Sequence, residues 1–218
     1  MKLMNILVFT ILLVCCKKEN TNNLADVIFE KSIHPIEKPS DFYEKLSNAA
    51  ISIIDSEVIY TPNYIGIKYP NGDVPPKTGV CTDVIIRAYR KLGVDLQKEV
   101  HEDMVAHFNL YPNLKKWGLK STDTNIDHRR VPNLEVFFER KGKKIPVSQN
   151  PLDYKTGDIV TWMINDKLPH IGIVTHLKSE PDTSEEKRPL IVHNVGGGQV
   201  LADCLFSYPI VGHFRYGD

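Results

Sequence analysis

Cys81, His170 and the adjacent pair His193 and Asn194 are the residues whose types and order could carry out nucleophilic chemistry. Cys81 opens the run Gly79-Val80-Cys81-Thr82-Asp83-Val84-Ile85-Ile86-Arg87-Ala88-Tyr89-Arg90, and a cysteine attacks only as its thiolate. Its ordinary pKa of about 8.5 must therefore be lowered. A helix N-terminus contributes about half a positive charge, and a neighbouring imidazole can store the proton. His170, in Pro169-His170-Ile171-Gly172-Ile173-Val174, is the candidate base. Gly172 falls on the same strand face, where a missing side chain is expected to let the helix end come close. A third group must hold the imidazole. His193 and Asn194 are neighbours on one strand and so point to opposite faces; only one of them can serve. The Cys81 backbone N–H, with a polar group from the stretch 69–79, is expected to receive an oxyanion. Together these residues point to acyl transfer from an amide through a thioester.

The elements that must position them follow from periodicity. Ile85, Ala88 and Leu92 recur at helical spacing after Cys81, and Gly93 ends that helix. An earlier helix starts at Ser40-Asp41-Phe42-Tyr43-Glu44 with capping chemistry and buries Leu46, Ala49, Ala50 and Ile53. Residues 58–69 are expected to be extended, and Asn71-Gly72-Asp73 with Pro75-Pro76 mark turns. A helix is expected over 96–108 and a short one over 133–140. From Gly157 the pattern turns to strands, over 158–163, 170–177, 190–195, 200–206 and 211–216, with a charged loop over 178–189. Helices followed by a meander of antiparallel strands define an α+β domain.

At 218 residues and 42% hydrophobic, the chain can bury one sizeable core. Lys+Arg and Asp+Glu are each 27, so no basic field favours nucleic acid as a partner. The apolar stretch Ile6 to Val14 after Lys2 is too short to span a bilayer and is expected to be a secretory signal. It ends in Leu13-Val14-Cys15-Cys16 and turns polar at Lys17. This resembles a bacterial lipobox, with Cys16 the expected lipidation site and Cys15 the second candidate. The expected organisation is a lipoprotein signal peptide over 1–16, a tether over 17–39 and one domain over 40–218. In an exported chain Cys81 and Cys204 could form a disulfide, whereas a nucleophile must be free; Cys204 otherwise has the surroundings of a small buried hydrophobe.

Asp127-His128-Arg129-Arg130 is the other concentration of polar chemistry. Its guanidinium groups could fork onto substrate carboxylates, or the loop could be salt-bridged and pin helices to the sheet. Asp83 and Arg87, one turn apart, are expected to pair. His176 and His213 match no metal-ligand spacing and are expected to be solvated; no metal or cofactor is expected. Trp117 and Trp162 are expected in the core or the wall of a cleft.

A set of longer motifs carries a resemblance. It comprises Asp73-Val74-Pro75, Gly79-Val80-Cys81-Thr82-Asp83-Val84, Asp95-Leu96-Gln97, Asn125-Ile126-Asp127-His128-Arg129-Arg130-Val131-Pro132-Asn133-Leu134, Gly157-Asp158-Ile159-Val160-Thr161-Trp162, His170-Ile171-Gly172-Ile173-Val174 and His193-Asn194. From about Ser40 to Tyr216 the chain resembles a bacterial family known only as domain of unknown function 1287. That family in turn is similar to the NlpC-type branch of the papain-like superfamily, whose members mostly cleave amide bonds in peptidoglycan stem peptides. The resemblance implies a papain-like α+β fold, with Cys81 as nucleophile, His170 as base and His193, rather than Asn194, as third residue. It departs at the cysteine, where Val80-Cys81-Thr82-Asp83 stands in place of the usual Asp-Cys-Ser-Gly. A lipid-anchored hydrolase of the bacterial cell envelope, periplasmic or outer-membrane facing, is the expectation. Peptidoglycan peptide would be its substrate, bound through His128, Arg129 and Arg130. The alternatives are a catalytically silent binder of wall peptide or of a protein, and an acyltransferase with the same Cys–His chemistry.

Overall fold

Asp41 starts the first helix by accepting the Glu44 N–H at 2.8 Å, leaving α1 (Phe42–Ile51) to bury Leu46, Ala49 and Ala50. The structure, a computed structural model, describes residues 33–180 and 187–217. The signal segment with Cys15 and Cys16, and most of the tether, lie outside the described residues. Among those described, no helix is long and apolar enough to cross a membrane.

Two short strands come next, β1 (Ile59–Tyr60) and β2 (Thr78–Gly79), paired in parallel with Tyr60 opposite Gly79. The chain then enters α2 (Cys81–Lys91), whose Val84, Ile85, Ala88 and Tyr89 are wholly buried. Further on come α3 (Leu96–His107), α4 (Asn113–Trp117), a single 3-10 turn over Asp127–Arg129 and α5 (Val131–Lys141). Pro132 sits in the first turn of α5, where its missing N–H costs nothing. The helix therefore begins two residues before the expected Asn133.

The remaining strands are β3 (Lys143–Lys144), β4 (Ile159–Ile164), β5 (Leu168–Lys178), β6 (Pro189–His193), β7 (Val200–Ala202) and β8 (Ile210–Arg215). They form a six-stranded sheet in the order β3-β8-β4-β5-β6-β7, and its pairings are antiparallel. The expected meander holds for β4 to β7. The last strand departs from it and crosses back to lie beside β4. Helices α1 and α2 pack on β5, and α5 packs on β8. Phe137 and Phe138 of α5 meet Tyr216 at ring distances of 5.2 and 5.6 Å, an apolar seam that fixes the helix layer on the sheet. This is the α+β arrangement expected, helices against an antiparallel sheet, with the cysteine at the N-terminus of a helix that packs on a central strand.

Gly172 owes its place to a different neighbour from the one expected. A Cβ there would come within 2.6 Å of Ile191 Cγ2 and 3.3 Å of His193 Cβ, so β6 rather than the helix end requires the glycine. Gly157 is held at φ +78 directly against Tyr43 of α1, a backbone region that favours glycine. Its neighbour Asp158 is fully buried and takes His213 Nε2 at 2.6 Å and Arg215 Nη2 at 2.6 Å. His213 is thus a buried partner of a carboxylate, contrary to the expected solvated ring, because β8 returns to β4 and brings it there. His176 is half-buried and bonded to Ser47 Oγ at 2.8 Å.

Candidate active site

Cys81 is the first residue of α2, and the residue before it is extended. Val80 has no side-chain acceptor to offer the helix start. Asp83, in the first turn, supplies one instead, taking the Val80 N–H on Oδ2 at 2.7 Å. The same carboxylate receives both arms of the Arg129 fork, Nε at 2.9 Å and Nη2 at 3.0 Å. Both side chains of this pair are 2% exposed. Asp83 is therefore tied to a residue 46 positions away, and Arg87, its expected partner, instead reaches Asp73 at 3.2 Å. Thr82 donates to the Arg129 carbonyl at 3.1 Å, a second clasp between the helix start and the 3-10 turn.

Cys81 and Cys204 are both free thiols. Cys81 lines an open cleft of about 330 Å³ together with Tyr60, Trp117, Arg130, Lys167 and Pro169. Around its sulfur stand the Tyr60 hydroxyl and the Ile171 and Thr82 N–H groups, each of which favours the thiolate. Burial outweighs them and pushes the thiol up to about 11. The lowering expected from the helix end is thus outweighed by burial.

Tyr60 is a site residue that the linear pattern did not reveal. The parallel β1–β2 pairing places it opposite Gly79, two residues before the cysteine. Its hydroxyl stands beside the Cys81 thiol and backbone N–H, and burial, then the thiol's charge, raises its pKa. Tyr60 adds a hydroxyl beside the Cys81 N–H from outside the stretch 69–79. Only the strand pairing could have shown it.

On β5 and β6, the strands against which the cysteine helix packs, His170 and His193 meet through Nε2 and Nδ1 at 2.8 Å, and neither ring lines the Cys81 cleft. The register sets this contact: His193 lies opposite Gly172, so His170 is its diagonal neighbour on the same face. Trp162 of β4 is opposite His170 and packs its ring 5.7 Å away. Both histidines are buried. Burial, with the facing His193 second, holds His170 down at about 3, and burial lowers His193 as well. With Nε2 engaged, His170 keeps Nδ1 as its open nitrogen. Asn194 points away from this pair and accepts the Gly196 N–H at 3.0 Å.

The loop 127–130 divides its tasks. His128 is buried and held at about 3 by burial and then by the Arg129 charge; it is absent from the cleft lining. Arg129 reaches the cleft, but its fork is spent on Asp83, and its Nη1 is buried without a hydrogen-bond partner. Arg130 presents a cation to the cleft: it stacks 4.4 Å over Trp117 and lies 3.2 Å from Asp127. Lys116 and Lys167 are the other cationic residues of the lining, and no Asp or Glu occurs among its residues. Among the described residues no group of three or more His, Cys, Asp or Glu could hold a metal.

A search of solved structures finds NlpC1 from Trichomonas vaginalis, aligned over 84% of this chain at 15% identity and a TM-score of 0.44. The match covers 46% of that chain, a likeness from which no activity can be transferred. The uncharacterized protein YijF of Escherichia coli (strain K12) is 49% identical over 171 residues, spanning 78% of this chain and 80% of the relative. The family model described as Domain of unknown function (DUF1287) matches residues 47–216, a span that holds the cysteine helix, the 127–130 loop and both histidine strands. The chain belongs to the DUF1287 family.

Proposed function

We propose that this protein is a cysteine amidohydrolase of the bacterial cell envelope, anchored by a lipid on Cys16, that cleaves amide bonds in peptidoglycan stem peptides. One observation carries the reading: a free cysteine at a helix start opens onto a cleft, and two histidines hydrogen-bonded at 2.8 Å stand on adjacent strands against which that helix packs. In the reaction, the Cys81 thiol gives its proton to His170 Nδ1 as Sγ bonds to the amide carbon. The carbonyl π electrons move onto oxygen, where the Cys81 N–H and the Tyr60 hydroxyl receive the charge. His170 then protonates the leaving nitrogen, the C–N bond breaks, and a thioester remains. Water, deprotonated by His170, attacks the thioester and frees the sulfur. His193 accepts from His170 Nε2 throughout and keeps the ring in the tautomer whose Nδ1 is open.

Substrate choice follows from the lining: cations on three separate elements and no carboxylate favour an anionic peptide, and stem peptides carry free carboxylates. Muropeptide release by the wild-type protein and its loss in Cys81→Ala test the reading. Equal release by the two would remove the nucleophile assignment. Tight peptide binding without turnover by either would replace the enzyme with a binder.

A further inference from the structure

His193 is bonded through both ring nitrogens. Nδ1 faces His170 Nε2 at 2.8 Å, and Nε2 faces Cys204 Sγ at 3.7 Å. The second thiol lies in the turn after β7, and that turn is fixed on both sides. The preceding residue, Asp203, pairs with Arg188 at 2.8 Å, and the following carbonyl, of Leu205, takes the Trp162 indole N–H at 2.8 Å. Cys204 is buried among Tyr154, Trp162, Ile191 and Leu205, with Tyr208 packed alongside. The titratable groups around it are His193, Asp203, Tyr154 and Tyr208.

The proton bookkeeping of the chain makes this contact matter. For His170 to take a proton on Nδ1, its resting proton must sit on Nε2 and be donated to His193 Nδ1. His193 must then carry its own proton on Nε2, pointing at the sulfur. The opposite arrangement, with the thiol donating to Nε2, places a proton on His193 Nδ1 and directs it at His170 Nε2. The His170 proton would then occupy Nδ1, and the base would be blocked. We propose that Cys204 is a positioning residue, whose sulfur accepts from His193 Nε2 and so holds both imidazoles in the tautomers that leave His170 able to deprotonate Cys81. Cys204 remains an uncharged thiol, because burial and the nearby Asp203 push it up to about 12. It thus orients the relay without adding an anion to it.

The inference rests on the Cys81–His170 chemistry proposed above, so its test needs readouts of both. Nitrogen-15 spectra of the histidine-labelled full chain report tautomers directly. Iodoacetamide labelling followed by mass spectrometry reports Cys81 reactivity separately from Cys204. In the wild type, His193 is expected as the Nε2–H form. Cys204→Ser keeps an acceptor and should preserve that form, with Cys81 labelling within about twofold of wild type. Cys204→Val removes the acceptor, should mix the His193 tautomers, and should slow Cys81 labelling about fivefold, the worth of one modest hydrogen bond. If valine prevents folding, Cys204→Ala gives the same comparison. Unchanged tautomers and labelling in the folded Val or Ala variant would reduce Cys204 to a packing residue. That outcome leaves the proposed function standing if Cys81→Ala is still inactive. Full muropeptide release by Cys81→Ala would instead overturn the function, whatever the tautomers show.

Discussion

Replacing Arg129 with Met should unfold the helix start rather than merely weaken substrate binding. The guanidinium holds Asp83 through two bonds of 2.9 and 3.0 Å, with both side chains 2% exposed. Removing one partner of a buried ion pair costs about 3–5 kcal/mol, because the other charge is left unpaired. For a domain of this size each kcal/mol moves the midpoint by about 2–4 °C, so Arg129→Met should melt about 6–20 °C below the parent. Asp83 also caps the N-terminus of the cysteine helix through Val80, so the reactive end of α2 should loosen first. Arg130→Met is the control: its side chain is 20% exposed and its ring stack and ion pair are partly solvated. It should cost about 1 kcal/mol and act mainly on KM for an anionic peptide. Circular-dichroism melts of both variants, and of Arg129→Met combined with Asp83→Leu, read the difference. The double variant should regain much of the loss, since two apolar residues can replace a buried pair at little cost. An Arg129→Met protein that melts within 2 °C of the parent yet binds peptide poorly would refute this account and make Arg129 the ligand fork.

Other consequences are open to direct measurement. His128 and His170 are held at about 3 against about 6.5 when unfolded. Between those values the unfolded chain binds more protons, so stability falls as pH drops below about 6.5, by about 1.4 kcal/mol per pH unit for each histidine. Urea midpoints that stay level from pH 7 to pH 5 would contradict this. Gly172→Ala forces a Cβ to 2.6 Å from Ile191 Cγ2; it should cost about 1–3 kcal/mol and abolish turnover by displacing His193, and an active, equally stable variant would show that β6 tolerates the shift. Labelled palmitate should be incorporated by the wild type and by Cys15→Ser but not by Cys16→Ser, and incorporation by the last would move the anchor to its neighbour.

The residues nearest the proposed chemistry were legible because local rules place them. A cysteine at the start of an amphipathic run is a helix-end thiol, and alternation along 170–174 and 190–194 leaves few choices for which side chains meet. Between His193 and Asn194 the decision came from register, Gly172 opposite His193, which no local rule supplies. What remained hidden depends on contacts distant in sequence. Asp83 passes over Arg87, a turn away, for a guanidinium on another element, since burial on both sides makes that pair dry. Tyr60 reaches the thiol only through a parallel ribbon. His213 looked like a surface residue until β8 crossed the sheet to Asp158.

That ribbon has a consequence for how the protein can change. Its two rungs, extended by Ile59 N–H to the Lys77 carbonyl at 2.9 Å and Thr61 N–H to the Gly79 carbonyl at 3.1 Å, pinch the chain shut on either side of the excursion between them. Pro62, from that excursion, forms part of the cleft mouth, while Tyr60 stays fixed by main-chain bonds that do not depend on side-chain identity. Substitution at Pro62 can therefore reshape the mouth and redirect what enters while the Tyr60 backbone stays in place.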